Sequence, residues 1–236
     1  LTPPVPPDTD AAVPGAEGAG AACDVDILTV GPFQSNCYVV RPAGEGPAVV
    51  VDPGDEPERI LAKIGDEDVA AILLTHAHLD HVGAVAAVAR ATGAPIYLHP
   101  GDRFLYDAAE EHARVFGVRV EAPPPPDEEL AGGDELKFGD LEFSVRHVPG
   151  HSPGHVIFVT DGMAFVGDCV FAGSIGRTDL PGGDMPTLLA AIREHILTLP
   201  PDTVLYPGHM GPTTVRREGQ TNPFLIQGGF GRGGFA

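Results

Sequence analysis

The 236-residue sequence predicts an α/β fold in which two sheets pack face to face under helices. Short runs rich in Val, Ile and Leu alternate with helical stretches, and each half of the chain runs strands and then helices, a pattern that suits layers around a shared core. No short-period repeat is present, which sets aside solenoids and propellers. Ligand-type side chains recur just past the ends of the apolar runs, where α/β proteins gather their sites.

Residues 24–30 (DVDILTV), 37–41 and 48–52 read as early strands, the first two as an antiparallel pair. A helix is expected over 56–64, then a strand over 69–75 (VAAILLT). Residues 82–93 are Ala-rich and close on Gly93, the pattern of a helix with a glycine cap. A further helix is placed over 101–116, and the prolines 123–126 mark an extended surface loop within 122–133. In the second half, 141–147 alternates as a strand, and 156–160 and 163–167 form a hairpin around Asp161-Gly162. Residues 185–199 make an amphipathic helix, and 203–206 the last strand. Residues 1–23, rich in Pro, Ala and Gly, and the Gly-rich 228–236 carry too little apolar surface to offset their ordering entropy. They are expected to be a disordered leader and tail around one domain spanning 24–227.

Lys and Arg total 14 against 33 Asp and Glu, a net charge of −19. Such a field repels phosphate backbones and anionic membrane surfaces, so neither nucleic acid nor membrane is expected as a partner. No stretch approaches the roughly 18 consecutive apolar residues that span a bilayer. Three cysteines, Cys23, Cys37 and Cys169, make neither a disulfide framework nor a metal-type spacing. The first residues lack a basic segment followed by an apolar one. These observations give a cytoplasmic expectation and leave self-association open. With aromatics at 6% and no Trp, aliphatic residues are expected to fill most of the core.

The chemistry concentrates in His76-Ala77-His78-Leu79-Asp80-His81, directly after the strand ending at Thr75. Residues two apart in an extended loop project to the same side, so His76 and His78 can grip one metal. Asp80 and His81, where the next helix begins, can turn towards a neighbouring ion. Imidazoles and a carboxylate at this spacing suit Zn²⁺, Fe or Mn²⁺. The bland alternative is a run of surface histidines before a helix. Against it, three His and one Asp at fixed spacing arise by chance in a chain of this composition on the order of one time in a thousand. His151, Asp168 and His209 share the same setting, each just past an apolar strand and each behind a Gly. Singly they would be turn residues; together they complete a site.

The ordered motifs THAHLDH, PGH, GD and PGH resemble the metallo-β-lactamase superfamily over about residues 25–225. GDCVFAGSIGRTDLPGGD (167–184) and YPGHMGPTT…TNPFL are similar to its bacterial glyoxalase II-like (hydroxyacylglutathione hydrolase-like) branch. The resemblance implies an αββα sandwich of two mixed sheets with helices outside. It also implies two divalent metal ions, with Zn first and Fe or Mn as alternatives. His76, His78 and His151 would hold one ion and Asp80, His81 and His209 the other, with Asp168 bridging. The implied reaction is hydrolysis of a small-molecule thioester, such as S-lactoylglutathione or another low-molecular-weight thiol ester, by a metal-bridging hydroxide. Asp80 would orient the nucleophile or carry its proton. Gly211 stands where such enzymes place a Tyr, so the thiol is left open. Arg177 aligns with a basic residue that holds the thiol cofactor's carboxylate, with a plain ion pair to Asp179 or Asp184 as the alternative. Asp52 is either a carboxylate fixing the tautomer of a ligand imidazole or a turn residue. Cys169 is expected as a small buried hydrophobe, His155 as a supporting residue, and His99, His112, His147 and His195 as structural or surface histidines. The main rival is a mononuclear-iron persulfide dioxygenase using the residues at His76, His151 and Asp168. Behind it come a lactonase or β-lactamase, and a binding module that merely keeps the fold.

Overall fold

The computed structural model describes residues 23–226. The expected leader and tail therefore lie outside the described residues, apart from Cys23, which opens the first strand. One sheet runs in spatial order β1 (Cys23–Val30), β2 (Ser35–Pro42), β3 (Ala48–Val51), β4 (Val69–Leu73), β5 (Ile96–Leu98) and β6 (Glu128–Glu129). Its first three strands are antiparallel and the rest parallel. The other sheet holds β7 (Glu135–Phe138), β8 (Leu141–His147), β9 (Val156–Thr160) and β10 (Met163–Gly167). After a separate ribbon of β11 (Val170–Phe171) and β12 (Ser174–Ile175), β13 (Val204–Pro207) and β14 (Thr213–Thr214) complete it in the order β14-β13-β10-β9-β8-β7. Only β10 and β13 pair parallel there. Both sheets are thus mixed, as expected.

Strand residues alternate between two apolar environments, which is why the strands read as nearly continuous hydrophobic runs. Tyr38, Val49, Val51 and Leu73 meet Phe143, Phe158 and Phe165 between the sheets. On the outer face of the first sheet, Val39, Val50 and Ile72 pack against α1 (Pro57–Ile64), α3 (Val85–Thr92) and α4 (Arg103–Asp107). On the outer face of the second, Ile157, Ala164 and Val166 pack against α6 (Met185–His195) and α7 (Val215–Thr221). The result is the αββα sandwich. Aliphatic residues fill most of the core, as expected, and Tyr38, Phe143, Phe158 and Phe165 add an aromatic layer between the sheets.

Helix boundaries differ from the expectations where tertiary contacts intervene. The helix over 82–93 is divided into α2 (Leu79–Val82) and α3. The turn between them runs against the loop after β3: Ala84 N–H donates to Pro53 O (3.0 Å), and a Cβ on Gly83 would lie 2.3 Å from Gly54 O. The helix over 101–116 is divided into a 3₁₀ turn (Pro100–Asp102), α4 and α5 (Ala109–Val115). Its start is drawn inwards by Asp102, whose carboxylate is buried. The three-residue β5 and the ribbon β11–β12 were not anticipated; both are shorter than the window that periodicity needs.

Candidate metal centre

The ligand-type residues occupy the segments leaving β4, β8, β10 and β13 at one edge of the sandwich, Asp80 and His81 within α2. Cross-links hold these loops together: Val156 N–H donates to Thr75 O (2.8 Å), Gly208 N–H to Gly167 O (2.8 Å) and Asn36 N–H to Gly208 O (2.7 Å). Glycine is required at two of the approaches. Gly167 has φ 47°, and its Cβ would fall 2.5 Å from Thr75 Oγ1. A Cβ on Gly208 would sit 2.1 Å from Asp168 Oδ1 and 2.6 Å from His81 Cε1.

The seven expected residues come together. His76, His78 and His151 offer ring nitrogens that all lie within 4.8 Å of one another, and so do the donor atoms of Asp80, His81 and His209. His78 Nδ1 is 2.8 Å from His151 Nε2, and His209 Nε2 is 3.2 Å from Asp80 Oδ2. Asp168 stands between the groups. Its Oδ2 lies 3.6 Å from His151 Nε2 and 3.5 Å from His209 Nε2, and its Oδ1 3.4 Å from His81 Nε2. His76 Nε2, His78 Nε2, His81 Nε2 and Asp168 Oδ1 are buried with no hydrogen-bond partner among the described residues. Unpaired buried polar atoms cost roughly 1–3 kcal/mol each, so His76 Nε2, His81 Nε2 and Asp168 Oδ1 fit cations that would take their lone pairs, while His78 faces the His151 ring nitrogen through Nδ1. The imidazole and carboxylate donors suit Zn, Fe or Mn.

The contacts behind the ligands fix which nitrogen faces inwards. The Asp52 carboxylate takes hydrogen bonds from Thr75 N–H (2.7 Å) and Thr75 Oγ1 (2.6 Å) and lies 3.1 Å from His81 Nδ1. His81 therefore carries its proton on Nδ1 and presents Nε2. Since the Thr75 hydroxyl donates to Asp52, it accepts from His76 Nδ1 (3.0 Å), and His76 also presents Nε2. Carbonyl oxygens of Arg177 and Gln34 accept from the Nδ1 atoms of His151 (2.8 Å) and His209 (3.2 Å). Asp52 thus bridges Thr75 and the His81 ring, contacts through which a carboxylate can orient a ligand imidazole.

The two groups differ in charge. Burial, reinforced by neighbouring imidazoles, holds His76 well below the ordinary His pKa and lowers His78 to about 3. Burial also opposes a charge on His81 and His209. The Asp168 and Asp80 carboxylates outweigh it, holding His81 well above the ordinary value and His209 at about 10. Burial likewise works against the Asp168 anion, but the facing imidazoles, His81 foremost, keep it well below the usual carboxylate range.

Among the secondary expectations, the Arg177 guanidinium is exposed and forms a two-point ion pair with Asp179 (2.7 and 2.8 Å). This is the ion-pair alternative; the same residue's carbonyl orients His151. His155 immediately precedes β9, accepts from Asp168 N–H (3.0 Å) and stacks on His76 at 4.9 Å. Cys169 is buried, its thiol donating to Val166 O (2.8 Å). His99 and His147 stack on each other at 4.3 Å, away from the cluster. The sequence reading missed two buried acids, Asp102 and Glu218. Glu218 accepts from Gly173 N–H (2.9 Å) and Thr213 Oγ1 (2.5 Å), tying the ribbon after Asp168 to the segment after His209. The one local signal for Asp102 is its place just past the short β5.

A family model described as the metallo-beta-lactamase superfamily matches residues 30–209. The hydroxyacylglutathione hydrolase GloC of Haemophilus influenzae is 38% identical over 208 residues, covering 86% of this chain and 98% of its own. The crystal structure of TTHA1623 in a di-iron-bound form superposes with a TM-score of 0.77 at 47% identity, covering 84% of this chain and 99% of the other. The crystal structure of the B3 metallo-beta-lactamase BLEG-1 gives a TM-score of 0.79 at 40% identity, covering 85% and 99%. No helix among the described residues is long and apolar enough to cross a membrane.

Proposed function

The chain belongs to the metallo-beta-lactamase superfamily, and from that premise we propose that it is a dinuclear metallo-hydrolase that cleaves a small-molecule thioester into a carboxylic acid and a free thiol. The observation that carries this reading is the pair of three-ligand groups flanking one carboxylate, Asp168, with buried donor atoms left unpaired. His76, His78 and His151 would hold one divalent ion and Asp80, His81 and His209 another, which when bound would supply a water acidified towards neutrality and a Lewis acid for the substrate carbonyl. Zn²⁺ is the first choice, with Fe and Mn as alternatives; the di-iron form of TTHA1623 supports iron in a site of this kind.

The chain's own residues set the rest. Asp168, buried between the groups, keeps its charge and holds them at fixed separation. Asp80 is partly exposed through its carboxylate, so its oxygens can orient the attacking water and pass its proton to solvent or to the leaving sulfur. His151 and His209 are held by carbonyl oxygens from two different loops, so the cluster is organised before substrate arrives. The likeness to GloC supports a thioester such as S-lactoylglutathione, with other low-molecular-weight thiols as candidates. Substrate contact through Arg177 would require its pair with Asp179 to open.

The test combines metal content, by elemental mass spectrometry on protein purified without added metal or chelator, with a panel of thioesters, lactones and β-lactams. About two metals per chain, as in two-metal sites, and fastest turnover of a thioester are expected. A single iron with oxygen consumption on a glutathione persulfide would replace this reading with the dioxygenase, and preference for a β-lactam would move it towards the activity named for BLEG-1.

A further inference from the structure

Asp102 stands outside both ligand groups, is fully buried, and lies in the 3₁₀ turn that follows β5. Its Oδ2 accepts from Ala77 N–H (3.1 Å) and from Ser152 Oγ (2.6 Å), and its Oδ1 from Gly154 N–H (2.6 Å). Ala77 is the residue between His76 and His78, and Ser152 directly follows His151. One carboxylate therefore grips the two loops that supply all three members of the His76/His78/His151 group. The approach is close enough that a Cβ on Gly154 would fall 2.5 Å from Asp102 N. The other group is held differently: Ser35 Oγ donates to Asp80 O (2.6 Å), Asn36 Nδ2 donates to Pro207 O (3.0 Å) and Met210 O (2.8 Å), and His209 Nδ1 donates to Gln34 O. None of those contacts involves Asp102.

We propose that Asp102 is a positioning residue for one metal position alone: it sets the spacing of the His76–His78 loop from the His151 loop, and so the affinity and geometry of the three-histidine group. The inference rests on the metal-centre reading above. An acid is needed because three donors converge on it. An amide at this position turns its own NH₂ towards one of them, and a donor facing a donor makes one loop let go.

Two single-group backgrounds isolate the effect. His209→Ala leaves the three-histidine group whole, and His151→Ala leaves the Asp80/His81/His209 group whole. Zinc affinity is measured in each by competition with a chelating indicator, and the cobalt(II) form is read by its visible spectrum, which reports ligand geometry. In the His209→Ala background, Asp102→Asn is expected to weaken zinc binding about 10–100-fold, the usual effect of losing an outer-shell partner, and to shift the cobalt spectrum. In the His151→Ala background, affinity is expected to stay within about 2-fold, because the Asp102 carboxylate makes no hydrogen bond to Asp80, His81 or His209. Equal loss in both backgrounds, or no change in affinity and spectrum in the first, overturns the proposal. Ser152→Ala, which removes one donor and leaves the carboxylate in place, provides the same test should Asp102→Asn not fold: several-fold weaker binding at the three-histidine group supports the role, and unchanged binding overturns it. If the His209→Ala protein with Asp102 intact binds no zinc, the metal-centre reading itself falls and takes this inference with it.

Discussion

His81 Nδ1 lies 3.1 Å from Asp52 Oδ2, and both side chains are buried. The same carboxylate holds Thr75, and Thr75 in turn fixes His76. Asp52 therefore reaches both ligand groups, His81 directly and His76 through a hydroxyl. Asp52→Asn is expected to weaken metal binding at both positions, about 10–100-fold at the His81 position, in contrast to the one-sided effect of Asp102→Asn. Two-step metal titration checks this; unchanged affinity at the His81 position would show that the contact does not orient the ring.

The Asp80 side chain is more exposed than that of Asp168, 20% against 12%. Its role in handling the proton of the attacking water predicts that Asp80→Asn lowers kcat by about 10²–10⁴-fold, the usual range for positioned acid–base groups, with KM changed far less. Steady-state kinetics on the thioester that the panel identifies, with metal content measured alongside, separates lost chemistry from lost metal. Unchanged kcat at full metal content would remove Asp80 from the reaction.

The site was legible where a long apolar strand runs straight into a ligand. Val69–Leu73 announces itself, and the His76–His81 run after it is too dense in ligand types to be ordinary surface. His151, Asp168 and His209 repeat the strand–glycine–ligand pattern, and Asp52 directly follows β3 without an intervening glycine. Asp102 was hidden for a physical reason. Its donors come from Ala77, Ser152 and Gly154, which are brought to it only by folding, and β5 before it is three residues long. The break at Gly83 was equally silent, because it answers to Pro53 and Gly54 across the turn rather than to its neighbours in sequence.

The aromatic layer between the sheets yields a stability prediction. Phe165 is fully buried, with ring centroids 5.2 Å from Tyr38, 5.3 Å from Tyr206 and 6.3 Å from Phe143. Its neighbours belong to both sheets and cannot collapse together without shifting a strand. Phe165→Ala is therefore expected to cost about 3–5 kcal/mol, seen as a lower denaturant midpoint at an unchanged slope. A loss below about 1 kcal/mol would mean that the layer repacks freely.

The charge difference between the two ligand groups predicts how metal binding and stability follow pH. In the metal-free protein at pH 7, His81 and His209 carry protons that His76 and His78 do not. A ligand imidazole must be neutral, so loading the Asp80/His81/His209 group at pH 7 is expected to release about two protons from these histidines. Calorimetry of zinc binding to the His151→Ala protein, in buffers of different ionisation heat, measures that number, and a value near zero would contradict the assignment. For the metal-free fold, His209 is raised from 6.5 to about 10, so its contribution is fully present below pH 6.5 and is lost as pH rises through about 10. His78 is lowered from 6.5 to about 3. Below pH 6.5 the unfolded chain takes up a proton that the folded chain refuses, so stability is lost as pH falls towards 3. Denaturation of metal-free protein across this range should show both limbs, and His78→Ala should flatten the acid one. An acid limb unchanged by that substitution would place the loss in other groups.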